Sequence, residues 1–144
     1  MAVRDNGARQ DTWNVILTVA GHNFGVWDKK TGGELDSDEV KYYPGGMAQA
    51  QSLGGRVTPG NITLQRLYDR DDDDQYIQVL FNVVGKGKAV VTQRALNIDG
   101  KGYGKHIVWT GKLKRVLFPD VDSEATSAAM IEVEITTDGT PSVS

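Results

Sequence analysis

Several groups of residues in this chain have types and spacings that suit chemistry. The acidic run Asp69, Asp71, Asp72, Asp73 and Asp74 is dense enough in carboxylates to attract calcium. It lacks the spaced oxygen ligands, central glycine and terminal glutamate of a calcium-binding loop. A helix start explains it better, since the amino end of a helix favours negative charge. Gly85-Lys86-Gly87-Lys88 and Gly100-Lys101-Gly102-Tyr103-Gly104-Lys105 superficially resemble phosphate-cradling loops. The first follows a helix pattern instead of preceding one, and the second lies between two strand patterns, so both read as turns. His22 and His106 are the only histidines, with no nucleophile at a recognisable spacing. Glu132 and Glu134 share a strand face, as paired carboxylates in glycosidases do, but solvated alternation accounts for them. Trp27, Tyr42, Tyr43 and Trp109 could stack on a sugar. Large aromatics also serve cores and subunit interfaces, and the two tryptophans read that way. No catalytic, cofactor-binding or metal-binding residue is expected, and the chain reads as a non-enzyme.

The elements that would position these residues are mostly strands. Residues 12–19 alternate, with Trp13, Val15, Leu17 and Val19 on one face. Gly21-His22-Asn23 is turn chemistry, and residues 24–28 read as a hairpin partner. Residues 29–38 are polar with a Gly-Gly pair and read as a loop, and Val40-Lys41-Tyr42-Tyr43 as a short strand stopped by Pro44. From Pro44 to Gly60 the chain is punctuated by Gly45-Gly46, Gly54-Gly55 and Pro59-Gly60. Connections this long are uncommon in a compact domain unless they are functional. Residues 30–60 therefore read as a long loop region with one short strand, of which about Pro44–Gly60 is expected to order only against a neighbouring subunit.

A strand follows at 61–68, then a helix over 71–85. Its apolar stripe is Tyr76, Ile77, Leu80, Phe81 and Val84, with Gly85 beyond its end. Strands at 89–96 and 106–118 flank an Asp99-Gly100 hairpin signal. Gly111 and a change of apolar parity near Arg115 predict a bulge in the second. A last strand at 129–136 turns Ile131, Val133 and Ile135 inward. The order is four strands, one helix and three strands, with residues 1–10 an amino-terminal arm and 137–144 a tail.

The 144 residues suit one domain, and the absence of cysteine excludes disulfides and thiolate metal sites. No apolar run approaches a membrane span, and the first residues are too polar for a secretion signal. A net charge of −3 argues against a tight, salt-dependent grip on nucleic acid. The 17 glycines point to many turns between short strands.

An ordered set of motifs carries a family resemblance. Lys41-Tyr42-Tyr43-Pro44-Gly45-Gly46-Met47 leads to Ser52-Leu53-Gly54-Gly55, then to Asn61-Ile62-Thr63-Leu64-Gln65-Arg66 and Tyr68-Asp69. Ala89-Val90-Val91-Thr92-Gln93-Arg94-Ala95-Leu96 and Asp99-Gly100 follow the helix. Trp109-Thr110-Gly111-Lys112-Leu113, Phe118-Pro119-Asp120-Val121-Asp122-Ser123 and Met130-Ile131-Glu132-Val133-Glu134 complete it. Together these resemble major tail tube proteins of long-tailed bacteriophages, particularly the non-contractile kind, across residues 30–136.

The resemblance implies an antiparallel β-sandwich or half-barrel with one flanking helix. It implies hexameric rings with a β-barrel lumen, stacked into a tube that conducts double-stranded DNA during ejection. The implied partners are further copies of the chain and tail tip and terminator proteins, without a membrane. The implied location is the virion tail, with synthesis in the host cytoplasm. Pro44, Gly45, Gly46, Met47, Leu53, Gly54 and Gly55 become the candidate ring-stacking residues. Glu132 and Glu134, or in competition Lys112 and Lys114, become candidate lumen-facing residues. A tail terminator or secretion-system tube ring of the same fold, a monomeric carbohydrate-binding β-sandwich and a hydrolase are the alternative readings.

Overall fold

A computed structural model describes residues 8–71, 73–97 and 99–144. Most of the expected arm, residues 1–7, and Asp72 of the acidic run lie outside the described residues. The elements run β1 Trp13–Val19, β2 His22–Trp27, β3 Lys29–Gly32, β4 Leu35–Tyr42, β5 Gln51–Pro59 and β6 Ile62–Leu67. After the helix α1 Asp73–Val83 come β7 Lys88–Ala95, β8 Ile107–Leu117, β9 Met130–Thr137 and β10 Ser142–Val143.

The main sheet follows the order β2-β1-β7-β8-β9-β6-β3, with β10 added to β8, and every pair is antiparallel. Its two edges, β2 and β3, are consecutive in the chain and separated by Asp28 alone. A sheet whose edge strands are joined by one residue must curl until the edges approach. The fold is thus mainly β, a curled antiparallel half-barrel with one helix.

Alternation fills the inside. Leu17 and Val19 from β1, Ile62 and Leu64 from β6, Val91 from β7, Leu113 from β8, and Ile131, Val133 and Ile135 from β9 are almost wholly buried. The helix adds Leu80, with Tyr76, Ile77 and Val83 packed partly against the same core. Val83 replaces Phe81 and Val84 of the expected stripe; both of those lie on the exposed flank. Gly85 follows the helix with φ +85°.

β8 carries its bulge between Leu113 and Arg115, where the apolar parity changes. Gly111 has a different function: a Cβ there would lie 1.7 Å from the Thr136 carbonyl oxygen, so β9 can approach only a glycine. The carboxy-terminal segment read as a tail contains β10, which pairs Ser142 and Val143 with Val108 and Ile107.

Arg66 links β6 to the edge strand β2 across the open side of the curl. It occupies the inward position after Ile62 and Leu64 on β6 and is mostly buried. Its guanidinium lies over the Trp27 ring, 4.5 Å from the centroid. It donates to the Phe24 carbonyl of β2 and to the Asp73 carboxylate at the start of α1. Asp73, itself buried, also accepts the Asp69 amide at 2.8 Å. One cation thereby ties together β6, β2 and the helix start.

The largest difference from the sequence reading is residues 30–60. Instead of a loop with one short strand, they hold the end of β3 and a two-stranded antiparallel ribbon, β4–β5, as a separate sheet. Six strands therefore precede the helix and four follow it among the described residues. The ribbon leaves the half-barrel through Gly33 and Gly60. The Gly33 amide donates to the Asn61 carbonyl at 3.2 Å, and the Gly60 amide to the Glu34 carbonyl at 2.7 Å. Trp109 Nε1 donates to the Gly33 carbonyl at 3.0 Å, and Thr137 Oγ1 to the Gly60 carbonyl at 2.8 Å. Gly33 has φ +82°, and a Cβ there would meet the Trp109 ring at 3.1 Å. Lys30 covers the same ring, its Nζ 4.1 Å from the centroid, and burial pushes its pKa down against the opposing charge of Glu34.

Arg66→Ala would leave Asp73 buried without its cation and should lower stability by roughly 3–5 kcal/mol. The double variant Arg66→Met/Asp73→Leu should recover most of that loss in chemical denaturation. A loss below about 1 kcal/mol for Arg66→Ala would place the pair among ordinary surface contacts. Trp109→Phe keeps the ring and removes the donor to Gly33, at about 1 kcal/mol. Hydrogen exchange should then quicken in β4 and β5 more than in β1 or β7. Uniform quickening would mean that Trp109 supports the core and not the ribbon.

Candidate assembly surfaces

The ribbon leaves apolar side chains uncovered. Its partners run from Leu35↔Pro59 to Tyr42↔Gln51, with one irregularity between Ser37 and Glu39. Val40 stands opposite Leu53, and Tyr42 lies two residues on, so these three share a face. All three are about half exposed. Glu39 and Lys41 occupy the opposite face and pair at 3.4 Å. Leu35 and Val57, also exposed, lie on that second face nearer the feet. A two-stranded ribbon with an uncovered apolar face is marginal by itself in water.

The candidate stacking residues fall on two parts of it. Pro44, Gly45, Gly46 and Met47 form the tip between β4 and β5, where Met47 is fully exposed with φ 63°. That left-handed conformation costs a non-glycine residue about 1 kcal/mol. Leu53, Gly54 and Gly55 lie inside β5; Gly55 packs against the Asp38 backbone at the irregularity. Glycine pairs signalled a loop in the sequence, but here one of them sits in a strand exposed on both faces.

The candidate lumen residues prove not to be alternatives. Glu132, Glu134, Lys112 and Lys114 all project from the outward face of β8 and β9. Lys114 pairs with Glu134 at 3.5 Å, and Arg115 reaches Glu134 at 3.4 Å and Glu132 at 3.6 Å. Neighbouring outward positions add Lys88 beside Lys112 and Lys29 beside Gln65. Five basic residues there, Lys29, Lys88, Lys112, Lys114 and Arg115, meet two carboxylates, Glu132 and Glu134. The other half of the outward face differs. Val26, Ile16, Thr92 and Val108 form one row of partners and Thr18, Val90 and Thr110 another, with no charge in either.

The chemistry-bearing motifs are absorbed by the fold. Gly85 N donates to the Leu113 carbonyl and Gly87 O accepts the Leu113 amide, so this Gly-Lys turn is stitched to β8. Asn97 Oδ1 accepts the amides of Asp99 and Lys101, which fixes the second glycine-rich loop. His22 pairs with Val19, whose partner on β7 is Ala89, whereas His106 lies 3.5 Å from Arg94 at the far end of β7. The two histidines therefore share no site. Trp27 and Trp109 are buried, while Tyr42 and Tyr43 are on or beside the ribbon, so the four aromatics form no common platform.

An open cleft of about 630 Å³ lies between β2 and the helix start. The charged pair within it, Arg66 and Asp73, is already engaged internally. No group of three or more potential metal ligands occurs among the described residues. No helix among them is long and apolar enough to cross a membrane.

Sequence reasoning missed the inward Arg66 and the feet at Trp109 and Thr137. The inward parity of Arg66 after Ile62 and Leu64 was the available signal. Nothing local marks Thr137 as a partner of Gly60, 77 residues away.

No family model matches the chain, and no curated protein matches it in sequence. Solved structures do match in fold. A chain in the sheath–tube complex of an extracellular contractile injection system (PVC) aligns with TM-score 0.76 and 14% identity, over 97% of this chain and 93% of that one. A chain in the anti-feeding prophage cap, described as the tube-terminating cap, aligns with TM-score 0.77 and 14% identity, over 100% and 94%. A chain in the anti-feeding prophage baseplate aligns with TM-score 0.72 and 15% identity, over 100% and 97%. At such identities the likeness is one of fold.

Proposed function

We propose that this chain is a structural subunit of a tail-like tube, a protein whose function is contact with further copies of itself. The observation that carries the reading is the β4–β5 ribbon. It projects from the half-barrel on two feet and exposes Val40, Tyr42 and Leu53 on one face. A neighbouring subunit laid against that face would cover it and pair its free edges. The fold likeness to chains in tube, cap and baseplate complexes supports the same reading.

Position within an assembly does not follow from the fold, since a tube-terminating cap matches as well as a sheath–tube complex. A cap would form single rings; a tube subunit would form stacks. The expectation of a non-contractile phage tail draws no support from the matched structures, one of which is described as contractile. Hexameric rings in a virion and passage of DNA remain part of the proposal, resting on the motif resemblance. The charge pattern bears on the channel. Where five basic residues meet two carboxylates, phosphates would be held, not passed. The uncharged rows of Val26, Ile16, Thr92 and Val108 and of Thr18, Val90 and Thr110, which lie between Lys88 and Arg94 on β7, are the better wall for a DNA channel.

Replacing residues 40–53 with Asn-Gly shortens the ribbon to a tight hairpin and keeps both feet. The expected product is a folded monomer that forms no tubes in negative-stain microscopy under conditions where the unaltered chain does. Leu53→Asp should shift stability by no more than about 0.5 kcal/mol while weakening assembly. Tubes of normal appearance from the shortened chain would remove the ribbon from the account.

A further inference from the structure

At the end of the half-barrel away from the ribbon's feet, a groove of about 350 Å³ runs beneath the segment that follows β8, lined by apolar side chains and by the polar Gln65, Ser127 and Glu132. β6 starts beside the feet at Ile62, and Leu67 at its other end pairs with Met130 in the groove wall. Leu117 and Phe118 line the groove, both nearly half exposed, with Ala128 and Met130 opposite them. Phe118 continues into an exposed aromatic patch, 5.1 Å from the Tyr68 ring and 6.3 Å from Phe81. Asp120 and Asp122 stand on the groove's rim, and Asp74, bonded to the Tyr68 hydroxyl, flanks the patch. Neither Asp120 nor Asp122 has a cationic partner among the described residues.

The opposite end of β8 carries the complement. The loop between β7 and β8 presents Tyr103, 57% exposed, between Lys101 and Lys105, which are exposed and form no ion pair among the described residues. The loop is held in shape. Asn97 accepts two of its amides, and the Tyr103 amide donates to the Ala95 carbonyl at 2.7 Å. An aromatic ring flanked by two cations suits a groove with an apolar floor of Leu117, Phe118 and Met130 and two carboxylates not engaged by a cation, Asp120 and Asp122; the third, Glu132, is held by Arg115. The loop and the groove adjoin opposite ends of the 11-residue strand β8, roughly 36 Å apart along it, so one copy cannot join them.

We infer that the Lys101–Tyr103–Lys105 loop of one copy docks in the Leu117–Phe118 groove of the next, with Asp120 and Asp122 receiving the lysines. Unlike surfaces meet in this contact, so it is head-to-tail and each copy offers both halves again. Such contacts propagate into stacks or closed rings. The inference deepens the tube reading and names a second contact beside the ribbon, with its own partner residues.

The absence of cysteine makes the test direct. Asp99→Cys and Ala128→Cys chains, the first keeping Lys101, Tyr103 and Lys105, purified separately and mixed under mild oxidation, should form the mixed disulfide at least about tenfold faster than either forms its own dimer. Adding Lys101→Glu and Lys105→Glu to the first chain should abolish that preference. So should adding Asp120→Lys and Asp122→Lys to the second, and combining both sets should restore it. A mixed disulfide no faster than the homodimers overturns the inference, as does a preference indifferent to the charge changes. Tubes without this cross-link would leave the tube reading standing and this contact refuted. The cross-link without tubes would do the reverse.

Discussion

A two-stranded ribbon has no core of its own, so its position depends on what holds its base. Here the base is two hydrogen bonds from buried side chains: Trp109 to the Gly33 carbonyl and Thr137 to the Gly60 carbonyl. Both donors come from strands of the main sheet, so the ribbon's origin is as rigid as the half-barrel core. The length is another matter. Every residue of β4 is exposed, Val40, Tyr42 and Leu53 are about half exposed, and β4 and β5 pair with no other strand among the described residues. The feet give the ribbon a fixed origin and leave its apolar face open to solvent.

The half-barrel that carries the ribbon depends on closing a curled sheet whose edge strands, β2 and β3, do not pair with each other. Arg66 of β6 reaches across the open side, with its cation stacked on Trp27 of β2 and hydrogen bonds to β2 and to the helix start. A buried charge is weak evidence for added stability, because its desolvation offsets much of its attraction. Its value here is geometric, since it sets β2, β6 and the start of α1 at one relative position. The helix then lies over the core through Leu80 and leaves Phe81 toward the patch around Phe118.

Much of the barrel was legible because its strands bury one face. Val15, Leu17 and Val19, and likewise Ile131, Val133 and Ile135, show the period-two signal in the sequence and the burial in the structure. The bulge near Arg115 was legible as a change of parity. The ribbon was not, for a physical reason: strands exposed on both faces have no alternation to display, and the Gly54-Gly55 pair resembles a turn. Glu132 and Glu134 against Lys112 and Lys114 read as rival sets of candidate lumen residues because parity within a strand says nothing about ion pairing across strands. Lys114 and Glu134 resolved that only when β8 and β9 were set side by side. The feet depend on contacts 76 and 77 residues apart, beyond any local pattern.

The central claim is that the ribbon's apolar face is covered by another copy of the chain. Hydrogen exchange measured on dilute protein and on protein pelleted from concentrated solution tests it most directly. The account predicts that amides of β4 and β5 exchange rapidly when dilute and become protected in the pellet, while β7 stays protected in both. Equal exchange of the ribbon in the two samples, with the protein demonstrably assembled in one, would contradict it.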